Sequence, residues 1–143
     1  MNNVTEILYE DELIKLEFTT QQDILLVAPQ NQSKFGVSEI RKAFMSTVAC
    51  TREHDIKRLL LDFSRNIIEM NEAEYKNVIA QLTVGLMPTH IKKVARIATS
   101  DTLRELKVEA TYDAIRKAVE LPLEFRNFPS TAEAMEWLLM PSE

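Results

Sequence analysis

Two short polar runs hold the residues best able to do chemistry. The first is Asp62-Phe63-Ser64-Arg65 and the second is Thr99-Ser100-Asp101. Each follows an apolar stretch. If those stretches are neighbouring parallel strands, Asp62, Ser64, Arg65, Ser100 and Asp101 meet at one sheet rim, where open α/β sheets bind ligands. An aspartate, an arginine and hydroxyls at one rim can hold a polar ligand through charge-assisted hydrogen bonds. The same residues also have local work: Asp62 can accept from loop amides, and Ser100 and Asp101 can cap a helix. Asp62 and Glu69 could form a pair of carboxylates, but acid–base use of such a pair needs environments that separate their pKa values. Two solvated loop acids are the plain alternative, and no catalytic residue is assigned.

Other chemistries have less to stand on. His54 and His90 have no second His or Cys at ligand spacing, so no metal is expected. Cys50 is the only cysteine and sits in the apolar run Val48-Ala49-Cys50, where a buried, inert thiol is expected. No Gly-x-Ser-x-Gly sequence marks a nucleophile elbow. The two glycines, Gly36 and Gly85, stand alone, so there is no phosphate-binding loop and no cofactor is expected. A formal net charge of -5 and the lack of aromatics among the basic residues argue against nucleic acid. Lys57-Arg58 and Lys92-Lys93 with Arg96 read as edge or loop charges. No segment approaches the roughly 20 apolar residues of a membrane span, so no stable membrane insertion is expected. The first residues lack the pattern of a signal peptide, and a cytoplasmic setting follows as the expectation.

The elements that must position these residues can be read from periodicity. With 143 residues, 45% hydrophobic, and no linker or repeat, a single domain over 1–143 is expected. Ile7–Tyr9, Leu13–Phe18 and Asp23–Ala28 read as strands, with turns at Glu10-Asp11-Glu12 and Thr19–Gln22. Alternation in the second run gives one buried and one wet face. From Val37 to Cys50 the apolar residues Val37, Ile40, Phe44 and Val48 take helical spacing. Lys57–Phe63 reads as a central strand buried on both faces. Asn71 is placed as the cap of a helix carrying Tyr75, Val78, Ile79 and Leu82. Lys92–Thr99 is another strand, and Thr102 to about Val119 another helix. The end of the chain is the clearest part: a strand from Leu123 to Phe128 turns at Pro129 into a helix. Ser130 and Glu133 supply a capping box for it, and Ala134, Trp137 and Leu138 share one face. Strands alternating with helices imply parallel pairing. The fold class expected is therefore α/β: a mixed sheet with N-terminal antiparallel strands and helices packed on it.

Three stretches carry a resemblance: Leu61-Asp62-Phe63-Ser64, the strand from Lys93 to Ser100, and the ending Glu124–Pro129 with Glu133-Ala134 and Trp137-Leu138. In order and character, over most of its length, the chain resembles the SpoIIAA-like group within the STAS superfamily, kin to CRAL-TRIO lipid-transfer domains. STAS antagonists of bacterial sigma-factor pathways carry a phosphorylatable serine at the start of the helix after the Asp-bearing strand. Here that stretch is Ile67-Ile68-Glu69-Met70-Asn71-Glu72, with no hydroxyl, and Ser64 lies too early. The resemblance thus implies the scaffold without the phosphoswitch.

Three functional readings follow. The leading one is a non-enzymatic binding or regulatory module that acts through a protein partner or as a homodimer, with partners docking around the second helix, Asn71 to Leu86, as the resemblance implies. The apolar segment Val84-Gly85-Leu86-Met87-Pro88 either packs under the next strand or is the module's candidate surface, with Leu82, Leu86 and Met87 as interface residues. The second, implied by the kinship to CRAL-TRIO domains, is a carrier of a small apolar or lipid-like molecule. The third is an enzyme using Asp62, Arg65 and Asp101. A module predicts an exposed apolar patch, a carrier predicts a cavity, and an enzyme predicts converging polar groups with perturbed pKa values.

Overall fold

The computed structural model describes residues 4–30, 34–99, 102–118 and 123–141. Three strands open the chain: β1 (Thr5–Glu10), β2 (Ile14–Thr19) and β3 (Ile24–Pro29), joined as an antiparallel meander. Both turns are built by aspartates. Asp11 Oδ1 accepts from the amides of Leu13 and Ile14 at 2.8 and 2.9 Å, while Asp11 Oδ2 accepts from the Tyr9 hydroxyl at 2.7 Å. Burial alone would raise the Asp11 pKa, but these bonds together hold it below its ordinary value. Asp23 takes a left-handed conformation, φ 55°, which Asp tolerates better than most residues. Its carboxylate then accepts from the Lys57 amide at 3.1 Å, tying the meander to the start of the next strand in the sheet.

The chain continues through β4 (Lys34–Gly36), α1 (Val37–Glu53), β5 (Arg58–Leu61), β6 (Ile67–Glu69), α2 (Glu72–Leu86), β7 (Lys93–Ile97), α3 (Thr102–Ala118), β8 (Glu124–Phe128) and α4 (Thr131–Leu139). The main sheet has six strands in the order β1-β2-β3-β5-β7-β8, with β3, β5, β7 and β8 parallel. The expected mixed α/β architecture with an antiparallel N-terminal part is the one observed. β4 and β6 form a separate two-stranded parallel sheet.

Alternation along the central strands divides the core. Leu25, Val27, Leu59, Leu61 and Val94 face α1, α2 and α3, whereas Ile24, Leu60, Ala95 and Ile97 face α4. The sheet is thus buried on both sides, as the continuous apolar run Leu59-Leu60-Leu61 predicts. Caps set the helix starts. Asn71 Oδ1 accepts from the Glu74 amide at 2.8 Å and Glu74 Oε1 accepts from the Asn71 amide at 3.0 Å, a complete capping box. At α4 the Ser130 hydroxyl accepts from the Glu133 amide at 3.3 Å. The Glu133 carboxylate accepts from that same hydroxyl.

One correction concerns charge. Lys93 and Arg96 are not edge charges, because β7 lies between β5 and β8 and both side chains are buried. A cation can sit there only with partners, and each has them. Lys93 Nζ donates to the carbonyls of Trp137 and Met140 at 2.9 and 2.8 Å. Arg96 forks onto Glu105 of α3 at 2.6 and 3.1 Å and reaches Asn127 of β8 at 3.2 Å.

Candidate functional site

The carboxyl ends of β5 and β7 lie side by side in the sheet, so the expected rim exists. Asp62 follows β5. Its amide donates to the Val27 carbonyl at 3.0 Å, and its Oδ1 accepts from the Ser64 hydroxyl at 2.7 Å and the Ser64 amide at 3.3 Å. Asp62 and Ser64 are therefore engaged with each other in a tight turn. Arg65 points to solvent, and Ser100 and Asp101 lie outside the described residues. Of the five rim residues read from sequence, the structure brings together Asp62 and Ser64. Glu69, the suggested second carboxylate, instead pairs with Lys34 across the β4–β6 sheet at 2.7 Å on the surface.

The polar cluster that does converge near the rim is a different one. Glu105 accepts two bonds from Arg96, and its Oε2 also accepts from the Thr99 hydroxyl at 2.7 Å and the Thr99 amide at 3.0 Å. Burial pushes the Glu105 pKa up, but the Arg96 guanidinium and the two Thr99 donors more than offset it and bring it down to about 2. A carboxylate held so firmly ionised serves as an anchor between α3 and the sheet; a general base works best poised near the operating pH. A charged residue inside the apolar strand Lys93–Ile97 was the available signal for this cluster. It could not reveal that Glu105 completes it.

The remaining candidates resolve locally. Cys50 is buried, and burial first and the nearby Glu53 second push its thiol up to about 11. His54 Nδ1 donates to the Cys50 carbonyl at 3.0 Å just beyond the end of α1. His90 lies 2.9 Å from Asp55 on the surface. Among the described residues no three His, Cys, Asp or Glu side chains gather as a metal site, and no helix is long and apolar enough to cross a membrane.

At the end of α2 packing prevails over the surface reading, which corrects the interface assignment of Leu82 and Leu86. Leu82 and Leu86, one turn apart, face the core and are fully covered, and Met87 is half-buried. Their shared phase turns both inward. The exposed apolar side chains here are Val84, 65% exposed, and Met45 of α1, 67% exposed. Between α1 and α2 runs an open groove of about 350 Å³, floored by Phe44, Val48, Val78 and Leu82. The helices approach so closely there that a Cβ on Gly85 would lie 2.9 Å from Val48 Cγ2. Arg41 spans the groove at one end, donating to Gln81 at 3.3 Å and Asn77 at 3.4 Å, and Arg52 lines it as well.

No family model matches the chain, and no curated protein matches it. Among solved structures it is similar to an uncharacterized protein of the DUF3478 family with a SpoIIAA-like fold from Shewanella loihica PV-4. That likeness has a TM-score of 0.46 at 16% sequence identity, and covers 96% of this chain and 98% of the other.

Proposed function

We propose that the chain is a non-enzymatic, STAS-like binding module of the cytoplasm that works by docking a protein partner on the face formed by α1 and α2. The observation that carries this reading is the α1–α2 groove, an apolar channel lined by the exposed side chain of Met45 together with Phe44, Val48, Val78 and Leu82. Arg41 and Arg52 line it on a protein whose net charge is -5. A basic border on an apolar groove complements an amphipathic helix with acidic flanks. A symmetric pairing of two copies through this face would bring the same two arginines from each copy into one interface, so a different protein fits better than a second copy. The start of α2, Met70-Asn71-Glu72, has no hydroxyl for a kinase, so partner choice would rest on charge and shape.

Photo-crosslinking tests this in the cell that makes the protein, with a benzophenone amino acid at position 45 and a control at position 6 on β1. The reading expects one discrete adduct from position 45, lost when Arg41 and Arg52 are both changed to Glu. An adduct of twice the chain mass would replace the partner with a second copy. Equal crosslinking from both positions would refute docking on this face.

A further inference from the structure

We infer that the α1–α2 groove selects its partner by one pattern: a helix of at least three turns with two acidic residues eleven positions apart and apolar residues four and seven positions after the first. This rests on the groove being a docking face and states which helix fits it. Arg41 and Arg52 both line the groove and stand eleven residues apart on α1. Eleven residues make close to three turns, so the two cations share one face, about 16 Å apart along the axis. Met45, four residues after Arg41, is exposed between them, and Val48, seven after, lies in the floor. α1 and α2 run side by side in one direction, because Arg41 reaches Asn77 and Gln81 while Val48, further along, meets Gly85. A partner lying in the groove therefore runs along α1 and meets its side chains at the same spacing. Read from either end, that pattern is the same, so it holds for both directions of the partner.

The two arginines differ in what they offer. Arg41 is already held across the groove, but by the side-chain amides of Asn77 and Gln81, which leave its charge uncompensated. A carboxylate arriving there meets a guanidinium fixed in place. Arg52 stands in the last turn of α1 and is exposed. Among the described residues that line the groove none is acidic, so neither charge is cancelled from within it.

Other occupants fit less well. An extended peptide gains most from an open ladder of backbone groups, and here the walls are two helices whose backbone bonds are internal. Two cations are too few for a phosphate backbone. A second copy has nothing suitable to insert: within α1, α2, α3 and α4 no two acidic residues stand eleven apart.

The test uses the whole chain and two stapled, alanine-based helical peptides of one composition. Each carries two Leu and two Glu; the Glu residues are eleven apart in the first peptide and nine apart, on opposite faces, in the second. Isotope-labelled methionine methyl groups are followed by NMR. The inference expects the first peptide to shift the Met45 methyl saturably and to leave Met140, exposed at the end of α4, unmoved. The second should bind at least tenfold more weakly. Changing Arg41→Glu and Arg52→Glu together should abolish binding of the first peptide and admit a version with Lys in place of both Glu, a reversal that loss of structure cannot produce. If that variant fails to fold, the comparison of the two spacings decides alone. Equal binding of both peptides at Met45 would overturn the spacing and leave the docking face standing. No saturable shift at Met45 with either peptide would overturn helix docking in the groove altogether.

Discussion

Lys93 lies against Trp137, its ammonium 5.1 Å from the indole centroid and bonded to the Trp137 carbonyl. One buried lysine thereby holds α4 to the sheet in two ways. It satisfies the carbonyls of Trp137 and Met140 at the helix end, where a positive charge is favourable, and it stacks on the ring that fills the second core. Arg126 of β8 lies 5.4 Å from the same ring. Lys93→Met keeps the stem but strands both carbonyls, which should cost about 2–3 kcal/mol. Trp137 is the only tryptophan, so intrinsic fluorescence reports on this contact directly. The variant should melt earlier and emit at longer wavelength; unchanged melting and emission would show that α4 is held by apolar contacts alone.

The Arg96–Glu105 pair predicts an acid-sensitive term in stability. Glu105 has a folded pKa of about 2 against an ordinary 4.5. A depressed carboxylate contributes stability that is complete above the ordinary value and disappears as pH falls through the folded one. Glu105→Gln removes the carboxylate that buried Arg96 forks onto and should cost on the order of 3 kcal/mol at neutral pH. Urea melts of both proteins should show the gap narrowing between pH 4.5 and about 2. A gap independent of pH would mean that α3 is held there by shape and not by charge.

Cys50 should be inert in the folded chain. Its thiol is covered by the main core and its pKa raised to about 11, so little thiolate forms at neutral pH and little of it is reachable. A disulfide reagent such as dithionitrobenzoate should label it at the rate of unfolding, rising sharply on denaturation. Rapid labelling of the native protein would show that α1 opens locally and that the core around Cys50 is looser than its packing implies.

Much of this fold is written in patterns longer than one helical turn. The capped helix after Pro129, the meander and the strand read over Lys57–Phe63 each repeat a signal over several residues, so local reading finds them. β4 and β6 are three residues each and carry too little pattern to be told from loop; they exist because they pair with each other. The candidate site was less legible for the same reason. Asp62 and Ser64 satisfy each other within two residues, a local matter, whereas Glu105 comes to Arg96 only once α3 has been laid across the sheet edge. The fate of Leu86 depended on which stripe of α2 faced inward, and a segment rich in apolar residues on every side does not announce that.

The contact between Val48 and Gly85 yields the last prediction. In an isolated helix Ala is favoured over Gly by roughly 1 kcal/mol, so Gly85→Ala would ordinarily stabilise α2. Here the added methyl would lie 2.9 Å from Val48 Cγ2 and 3.1 Å from Cγ1. Valine in a helix has one strongly preferred rotamer and cannot swing clear, so the helices must separate. The variant should therefore be destabilised by about 1–2 kcal/mol, the reverse of the propensity effect. Changing Val48 to Ala as well should recover most of that loss, and a double-mutant cycle measures the coupling. If Gly85→Ala alone raises the melting temperature, α1 and α2 have room to part. The groove proposed for a partner helix would then be a compliant surface and not a rigid one.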